Sequence, residues 1–185
     1  NLKLLTEIKG IKNLDTSNVE HMSVLFYNCY GLTTLDLSGF DTSKVDDMGR
    51  MFYYCYGLKE LDLSSWDVSN VKNFGYMFYY CYQLESISGI ANWDVSSAET
   101  MYRMFYDTKS VKTLDISGWN TESATNMGYL FCDCEALTEI KGIENLNVAD
   151  VQTMSYMFYN CPVLAYDPLD LSKWNLSKSF LHLRL

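Results

Sequence analysis

The chain has 185 residues, of which 48% are hydrophobic and 15% aromatic. This composition supports a packed core and is unlike that of a disordered segment. The net charge of -9 includes no basic run, so we expect no nucleic acid and no anionic membrane surface as a partner. No apolar stretch approaches the roughly 18 residues needed to span a bilayer, and no leader opens the chain, so we expect no direct membrane insertion. Because the chain begins with Asn1, we expect it to be a piece of a longer protein.

A sequence unit of about 26 residues recurs six times, which is the signature of a repeat architecture. The unit is marked by a phenylalanine that follows Leu or Met, and we call these residues the core phenylalanines. They are Phe26, Phe52, Phe78, Phe105, Phe131 and Phe158. Three residues after each of them stands a cysteine or, once, Thr108. One such unit cannot bury its apolar residues alone, so the repeats must stack.

Around each core phenylalanine, the spacing of apolar residues predicts a short amphipathic helix. Apolar residues fall at offsets 0, 3, 6, 7 and 10, in the second unit at Val45, Met48, Met51, Phe52 and Cys55. This spacing is typical of one face of a helix. The Asp-Thr-Ser segment at 41–43 would cap its first turn, and Gly57 would end it.

After the cysteine, the apolar spacing changes to two, which predicts a short strand with one buried face. In the second unit Leu61 and Leu63 point to the core, whereas Glu60, Asp62 and Ser64 point away from it. The remaining units repeat this pattern with local departures, for example at 88–90 and 141–143.

Together these elements predict an α/β, leucine-rich-repeat-like solenoid of about six to seven strand-helix rungs of 26–27 residues. Strands stack about 4.8 Å apart, whereas packed helices need about 8 to 10 Å. We therefore expect a curved stack, with a parallel sheet on the concave face and short helices on the convex face. Residues 1–178 should form a single repeat domain, and residues 179–185 a C-terminal tail or partial cap.

Two segments carry a resemblance to a known family. These are Leu-Asp-Leu-Ser-Gly-Phe-Asp-Thr-Ser-Lys-Val at 35–45 and Leu-Asp-Leu-Ser-Ser-Trp-Asp-Val-Ser-Asn-Val at 61–71, each followed by Met-Phe and Cys. They resemble the 26-residue repeat of bacterial surface proteins, which is related to the leucine-rich repeats of BspA-type adhesins. Members occur on Gram-positive cell walls and as surface lipoproteins of mycoplasmas. The resemblance implies an extracellular role in adhesion or interaction.

The six cysteines invite a disulfide hypothesis, but the predicted geometry argues against it. Helices 8 to 10 Å apart hold Cα atoms beyond the roughly 7 Å that a disulfide allows. We expect small, buried, apolar thiols instead. Cys132 lies outside the cysteine column, on a predicted helix flank where it would be exposed. Because Cys132-Asp-Cys134 lacks a second ligand pair, we expect neither a zinc site nor any cofactor.

No residue cluster predicts catalysis. His21 and His182 are the two histidines, and neither has a partner of the kind that a catalytic triad needs. The many Ser and Asp residues are explained by capping within the repeat. We therefore expect the chain not to be an enzyme.

The polar side of the predicted sheet is one candidate for partner binding, because solenoids commonly bind partners on such a surface. Its acidic residues are Asp36, Glu60, Asp62 and Asp115. The alternative is a solvated strand face. Stacked carboxylates also raise the question of a bound cation, but water and Ser or Thr neighbours relieve their repulsion, so we predict no metal.

The tyrosines are the second candidate, since 15 of them exceed what the core requires. They cluster after the core phenylalanines of the first repeats, and the predicted binding residues are Tyr53, Tyr54, Tyr56, Tyr79, Tyr80 and Tyr82. Exposed tyrosine clusters provide amphipathic contact area at binding surfaces. The alternative is structural, with each ring packed against its counterpart in the adjacent repeat.

These observations predict a non-catalytic extracellular binding module on a bacterial cell surface, whose partner is a host protein or a glycan. Several similar rungs would contact a long partner together and so gain avidity. Two alternatives remain. The chain could be a structural spacer or stalk that presents another domain, or an intracellular scaffold, which a reactive Cys132 would support.

Overall fold

The computed structural model describes residues 4–164 and 169–176. The predicted tail at 179–185, His182 and the segment at 165–168 lie outside these residues. The regular elements are short. Four strands span Glu60–Asp62 (β1), Ser86–Ser88 (β2), Thr113–Asp115 (β3) and Glu139–Lys141 (β4). Three 3-10 turns span Ile11–Asn13, Ile90–Asn92 and Ile143–Asn145.

The strands pair in parallel between neighbouring repeats. β1 pairs with β2, with Leu61 opposite Ile87, and β3 pairs with β4, with Leu114 opposite Ile140. Within β1 the central Leu61 is buried and its two neighbours are exposed. The predicted strand with one buried face is therefore confirmed at 60–62, although each sheet has only two strands.

The predicted convex helices are wrong, because the described residues contain no α-helix. Around the core phenylalanine, every second backbone N–H group donates to a carbonyl oxygen of the next repeat, and not to a carbonyl oxygen four residues earlier as in a helix. In the second repeat the donors are Met48, Arg50, Phe52 and Tyr54, and the acceptors are Asn73, Gly75, Met77 and Tyr79, at 2.9 to 3.0 Å. A parallel bridge extends this pairing at Asp47–Asn73 and recurs in every repeat from His21 to Thr153.

The intervening N–H groups close tight turns within the repeat. Met51 donates to Met48, Tyr53 to Arg50 and Cys55 to Phe52, at 3.1 to 3.2 Å. The chain can turn so often because two residues per repeat have left-handed backbone, such as Arg50 with φ 58° and Tyr54 with φ 61°. The segment is therefore a succession of turns whose hydrogen bonds alternate between its own repeat and the next.

This pairing also removes the reason for the predicted curvature. Successive core phenylalanine rings stack with centroids 5.4 to 5.8 Å apart, far closer than the 8 to 10 Å of packed helices. The turn side of each repeat is joined to the next by hydrogen bonds of the β type, and the strand side is joined in the same way within the pairs β1–β2 and β3–β4. The two sides of these repeats therefore have similar spacing.

The core is a set of apolar columns between these two hydrogen-bonded sides. Its largest fully buried side chains include Phe52, Phe74, Phe78, Phe105 and Phe131. Tryptophans extend the stack, since the Trp66 ring lies 6.4 Å from that of Phe52 and 6.5 Å from that of Trp93. The predicted Met, Phe, Leu and Trp ladders are confirmed as the core.

Candidate interaction surface

Tyrosine rings form rows across successive repeats, and we call these rings the tyrosine surface. Its members lie one, two or four residues after a core phenylalanine. They are Tyr27, Tyr30, Tyr53, Tyr54, Tyr56, Tyr79, Tyr80, Tyr82 and Tyr106. The turns place them there, because a residue in the left-handed region, such as Tyr54 or Tyr80, reverses the chain just after the core ring.

All six predicted tyrosines are brought together in this surface. The ring centroids of Tyr53 and Tyr79 are 4.7 Å apart, those of Tyr54 and Tyr80 4.9 Å, and those of Tyr56 and Tyr82 4.8 Å. The structure thus has the ring-on-ring packing that the structural alternative describes. Tyr79 is only 8% exposed, whereas the other five are half-buried. Those five retain area that a partner can contact.

Burial keeps the phenol groups of Tyr53, Tyr79 and Tyr82 neutral well above physiological pH, because it raises the pKa of each. Burial, followed by the charge of Asp107, raises the pKa of Tyr82 to about 12. Burial also raises the pKa of Tyr53 and that of Tyr79, each reinforced by the adjacent tyrosine hydroxyl. These hydroxyls can therefore donate and accept hydrogen bonds at the rim of an apolar area.

An arginine cage lies beside the tyrosine surface, and sequence reasoning missed it. The Arg103 guanidinium carbon lies 4.5 Å from the ring centroid of Tyr129, 5.1 Å from Tyr102, 5.2 Å from Tyr106 and 5.9 Å from Tyr76. Such contacts are attractive because the face of an aromatic ring is electron-rich. Arginine at a position that holds tyrosine in other repeats was the available signal.

Acidic residues continue one tyrosine row. The position two residues after the core phenylalanine holds Tyr54 and Tyr80, then Asp107 and Asp133. Asp107 is 7% exposed, and burial raises the pKa of its carboxyl group. Lys109 Nζ lies 3.5 Å from Asp107 Oδ1 and 2.7 Å from Glu135 Oε1. Neither aspartate was a sequence candidate, although their shared column with Tyr54 was visible.

The acidic candidates lie elsewhere in the repeat, on the strand segment. Asp36, Glu60 and Asp62 line an open concavity of about 560 Å³, whereas Asp115 lies at the end of β3. Lys12 Nζ is 2.9 Å from Asp36 Oδ2. The structure therefore joins three of the four residues in one concavity.

The carboxylates at 36, 62 and 115 also have a local role. Each accepts hydrogen bonds from the backbone N–H and the hydroxyl of the serine two residues later, at 2.6 to 3.2 Å. The serine hydroxyl, then Lys12, lowers the pKa of Asp36 to about 2. These aspartates shape the turn after each strand, which explains their recurrence without a ligand.

All six cysteines are free and buried. The Cys81 Sγ–H donates to the carbonyl oxygen of Phe52, the core phenylalanine of the previous repeat, at 3.1 Å. Cys55, Cys134 and Cys161 each donate in the same way to the core phenylalanine of the repeat before their own. The expectation that Cys132 is exposed is wrong, since it is 1% exposed. It occupies the same position of the repeat as Tyr53 and Tyr79, and its smaller side chain is covered there. Across the described ranges, no three His, Cys, Asp or Glu residues are grouped to hold a metal ion, and no helix is long and apolar enough to cross a membrane.

Comparisons with known proteins place this arrangement in a family. The sequence profile of the family described as "Mycoplasma protein of unknown function, DUF285" matches residues 3–113 and 83–181. No curated protein matches the chain. Among solved structures, the chain is similar to a leucine-rich cell surface protein from Faecalibacterium prausnitzii A2-165, with 10% identity and a TM-score of 0.30, over 80% of this chain and 63% of that one. The chain thus spans less than two thirds of that protein. The family match covers most of the chain in two overlapping blocks and confirms the resemblance to mycoplasma-type surface repeats, so the chain belongs to the DUF285 family of mycoplasma proteins.

Proposed function

We propose that the chain is a non-catalytic binding module of a bacterial surface protein, which acts outside the cell by presenting its tyrosine surface to a host protein or glycan. In this proposal the repeats form a solenoid of six to seven rungs over residues 1–178. The observation that carries the proposal is the half-buried rows of tyrosine rings that run in register across successive repeats.

Half-buried tyrosines are suited to binding for physical reasons. Each ring is already fixed by its neighbours, so little side-chain entropy is lost when a partner docks. The exposed part offers apolar area together with a neutral hydroxyl, which suits both protein and glycan surfaces. Because the rows repeat about every 5 Å along the stack, a long partner can use several repeats together.

Support for a non-catalytic role comes from the chemistry of the candidate nucleophiles. Burial raises the pKa of Cys55, Cys81 and Cys132, so these thiols stay protonated at neutral pH. A protonated thiol is a poor nucleophile. The Cys132 environment also gives no support to the intracellular scaffold that a reactive thiol at this position would favour.

The spacer remains the second candidate, because the rings satisfy one another within the chain and Tyr79 is almost fully covered. Purified chain should be tested on an array of host matrix proteins and glycans, beside an unrelated folded protein of similar negative charge. The proposal expects at least one saturable signal that the control protein lacks. If no spot exceeds the control, the binding proposal fails and the spacer is favoured.

A further inference from the structure

We propose that the row formed by Tyr54, Tyr80, Asp107 and Asp133 binds the cationic side chains of a basic polypeptide. This inference rests on the proposed binding function and names the class of partner. We call these four residues the mixed row.

The mixed row is continuous across four repeats. Its members share a left-handed backbone, with φ between 59° and 61°. Each donates its N–H to the next repeat, from Tyr54 to Tyr79, Tyr80 to Tyr106, Asp107 to Cys132 and Asp133 to Tyr159, at 2.9 to 3.0 Å. The same hydrogen bonds therefore hold all four positions in register, so two tyrosines and two carboxylates follow one another along the stack.

Cations of the chain itself already bind at the edge of this surface. The Arg103 guanidinium lies against four tyrosine rings, and Lys109 Nζ lies 5.6 Å from the Tyr82 ring centroid. The tyrosines of this protein thus provide electron-rich faces at the distance that cation–π contacts require. No cation of the described residues lies against the rings of Tyr54 or Tyr80. Both rings pack against other tyrosines and are half-buried, so the exposed part of each is where a cation from outside would bind.

Asp107 provides an under-compensated negative charge in the same row. It is 7% exposed, and its Oδ1 is buried without a hydrogen-bond partner among the described residues. The nearest cation is Lys109, 3.5 Å away, and that ammonium makes a shorter contact of 2.7 Å with Glu135. The charge of a buried carboxylate is only weakly screened by water, so it attracts a cation that lies nearby without direct contact.

The charge of the row favours a basic peptide. Neighbouring positions of the row are about 5 Å apart, since the rings of Tyr54 and Tyr80 are 4.9 Å apart. Long arginine side chains of one peptide could therefore reach both a tyrosine and an aspartate of the row. Arginine fits best, because its planar guanidinium both stacks on rings and pairs with carboxylates. The net charge of -9 favours the approach of such a partner.

The test uses the full chain and two synthetic peptides of about 12 residues, one alternating Arg and Ser and the other alternating Glu and Ser. Titration calorimetry should show saturable binding of the first peptide only. The variant Asp107→Asn/Asp133→Asn should weaken that binding roughly tenfold. Asparagine suits the left-handed backbone, and the same column already holds Asn28 and Asn160.

The matched control is Asp67→Asn/Asp94→Asn, which removes two exposed carboxylates outside the mixed row. It should change affinity less than twofold. Equal weakening by both double variants would overturn the assignment, because overall charge would then explain binding. If Asp107→Asn/Asp133→Asn does not fold, Tyr54→Asn/Tyr80→Asn tests the other half of the row with the same expected loss. Failure of the arginine peptide to bind overturns the inference, and the proposed function stands if a partner on the array still binds.

Discussion

The backbone N–H of Phe52 donates to the carbonyl oxygen of Met77, 25 positions further along the chain, at 2.9 Å. In a helix this N–H would have bonded four residues back in its own segment. The hydrogen bond between repeats replaces the helical hydrogen bond. It also sets the distance between equivalent side chains of neighbouring repeats. The tyrosine surface exists because this spacing brings equivalent rings within stacking distance.

Gly118 should be essential for stacking, although it is exposed. A Cβ at this position would lie 2.2 Å from the Ala91 carbonyl oxygen, in the 3-10 turn of the previous repeat. Gly118→Ala should therefore lower the free energy of unfolding by about 1 to 3 kcal/mol through overpacking. The matched control is Ser65→Ala in the same column, which should change it by less than about 0.5 kcal/mol. Urea denaturation of both variants measures the difference, and equal stability would contradict the close approach.

Val24 should be a source of backbone strain. It is β-branched, half-exposed and left-handed, with φ 57°, a conformation that costs most residues about 1 to 2 kcal/mol. Val24→Asn should therefore stabilise the chain by about 1 kcal/mol. Leu25→Asn is the control, because Leu25 is similarly exposed but has no positive φ. A thermal melt in which Val24→Asn unfolds no later than Leu25→Asn would contradict this account.

The buried thiols should be inert in the folded chain. Burial raises the pKa of Cys55, Cys81 and Cys132, and all six cysteines are covered. At about pH 8, a thiol reagent should label none of them within minutes, but all six in denaturant. Mass spectrometry gives the count. Rapid labelling of Cys132 in the native chain would contradict its burial and would revive the intracellular scaffold.

The aspartate turns should make stability depend on acid pH. The Ser38 hydroxyl, followed by Lys12, lowers the pKa of Asp36 from its ordinary value of 3.8 to about 2. A depressed pKa in the folded state contributes stability that is present above the unfolded value and is lost as the pH falls through the folded one. The Tm should therefore fall between about pH 4 and pH 2. Asp36→Asn should lower the Tm at neutral pH but not at about pH 2. If the Tm of the variant and that of the wild type differ equally at both pH values, the ionised Asp36 carboxylate is not the source of the pH dependence.

The repeat, the buried columns and the strand at 60–62 could be predicted from the sequence because they depend on which residues are apolar. The same apolar pattern could not show whether the segment forms a helix or a series of turns. The offsets from Val45 to Cys55 fit a helix, but they also fit a chain of turns that buries the same residues. What decides between them is where the N–H groups of alternate residues find acceptors, and only the neighbouring repeat supplies those.

A local signal for the turns was nevertheless present. The column of Tyr54 also contains Asn28, Asp107, Asp133 and Asn160, and Asn and Asp tolerate left-handed backbone better than other residues with side chains. The six tyrosines could be grouped from the sequence by their columns. The burial of Tyr79, the arginine cage and the position of Asp107 could not, because they depend on how rings of different repeats pack.

The most direct test of the binding proposal compares two double variants against the strongest partner found on the array. Tyr54→Asn/Tyr80→Asn removes two rings from the tyrosine surface. Tyr129→Asn/Tyr156→Asn makes the same change at two other left-handed positions outside that surface. We predict that the first variant, folded by thermal melt, loses at least tenfold in affinity and that the second retains wild-type affinity. Wild-type affinity in the first variant would contradict the account, and the tyrosine rows would then serve only to hold the repeats together.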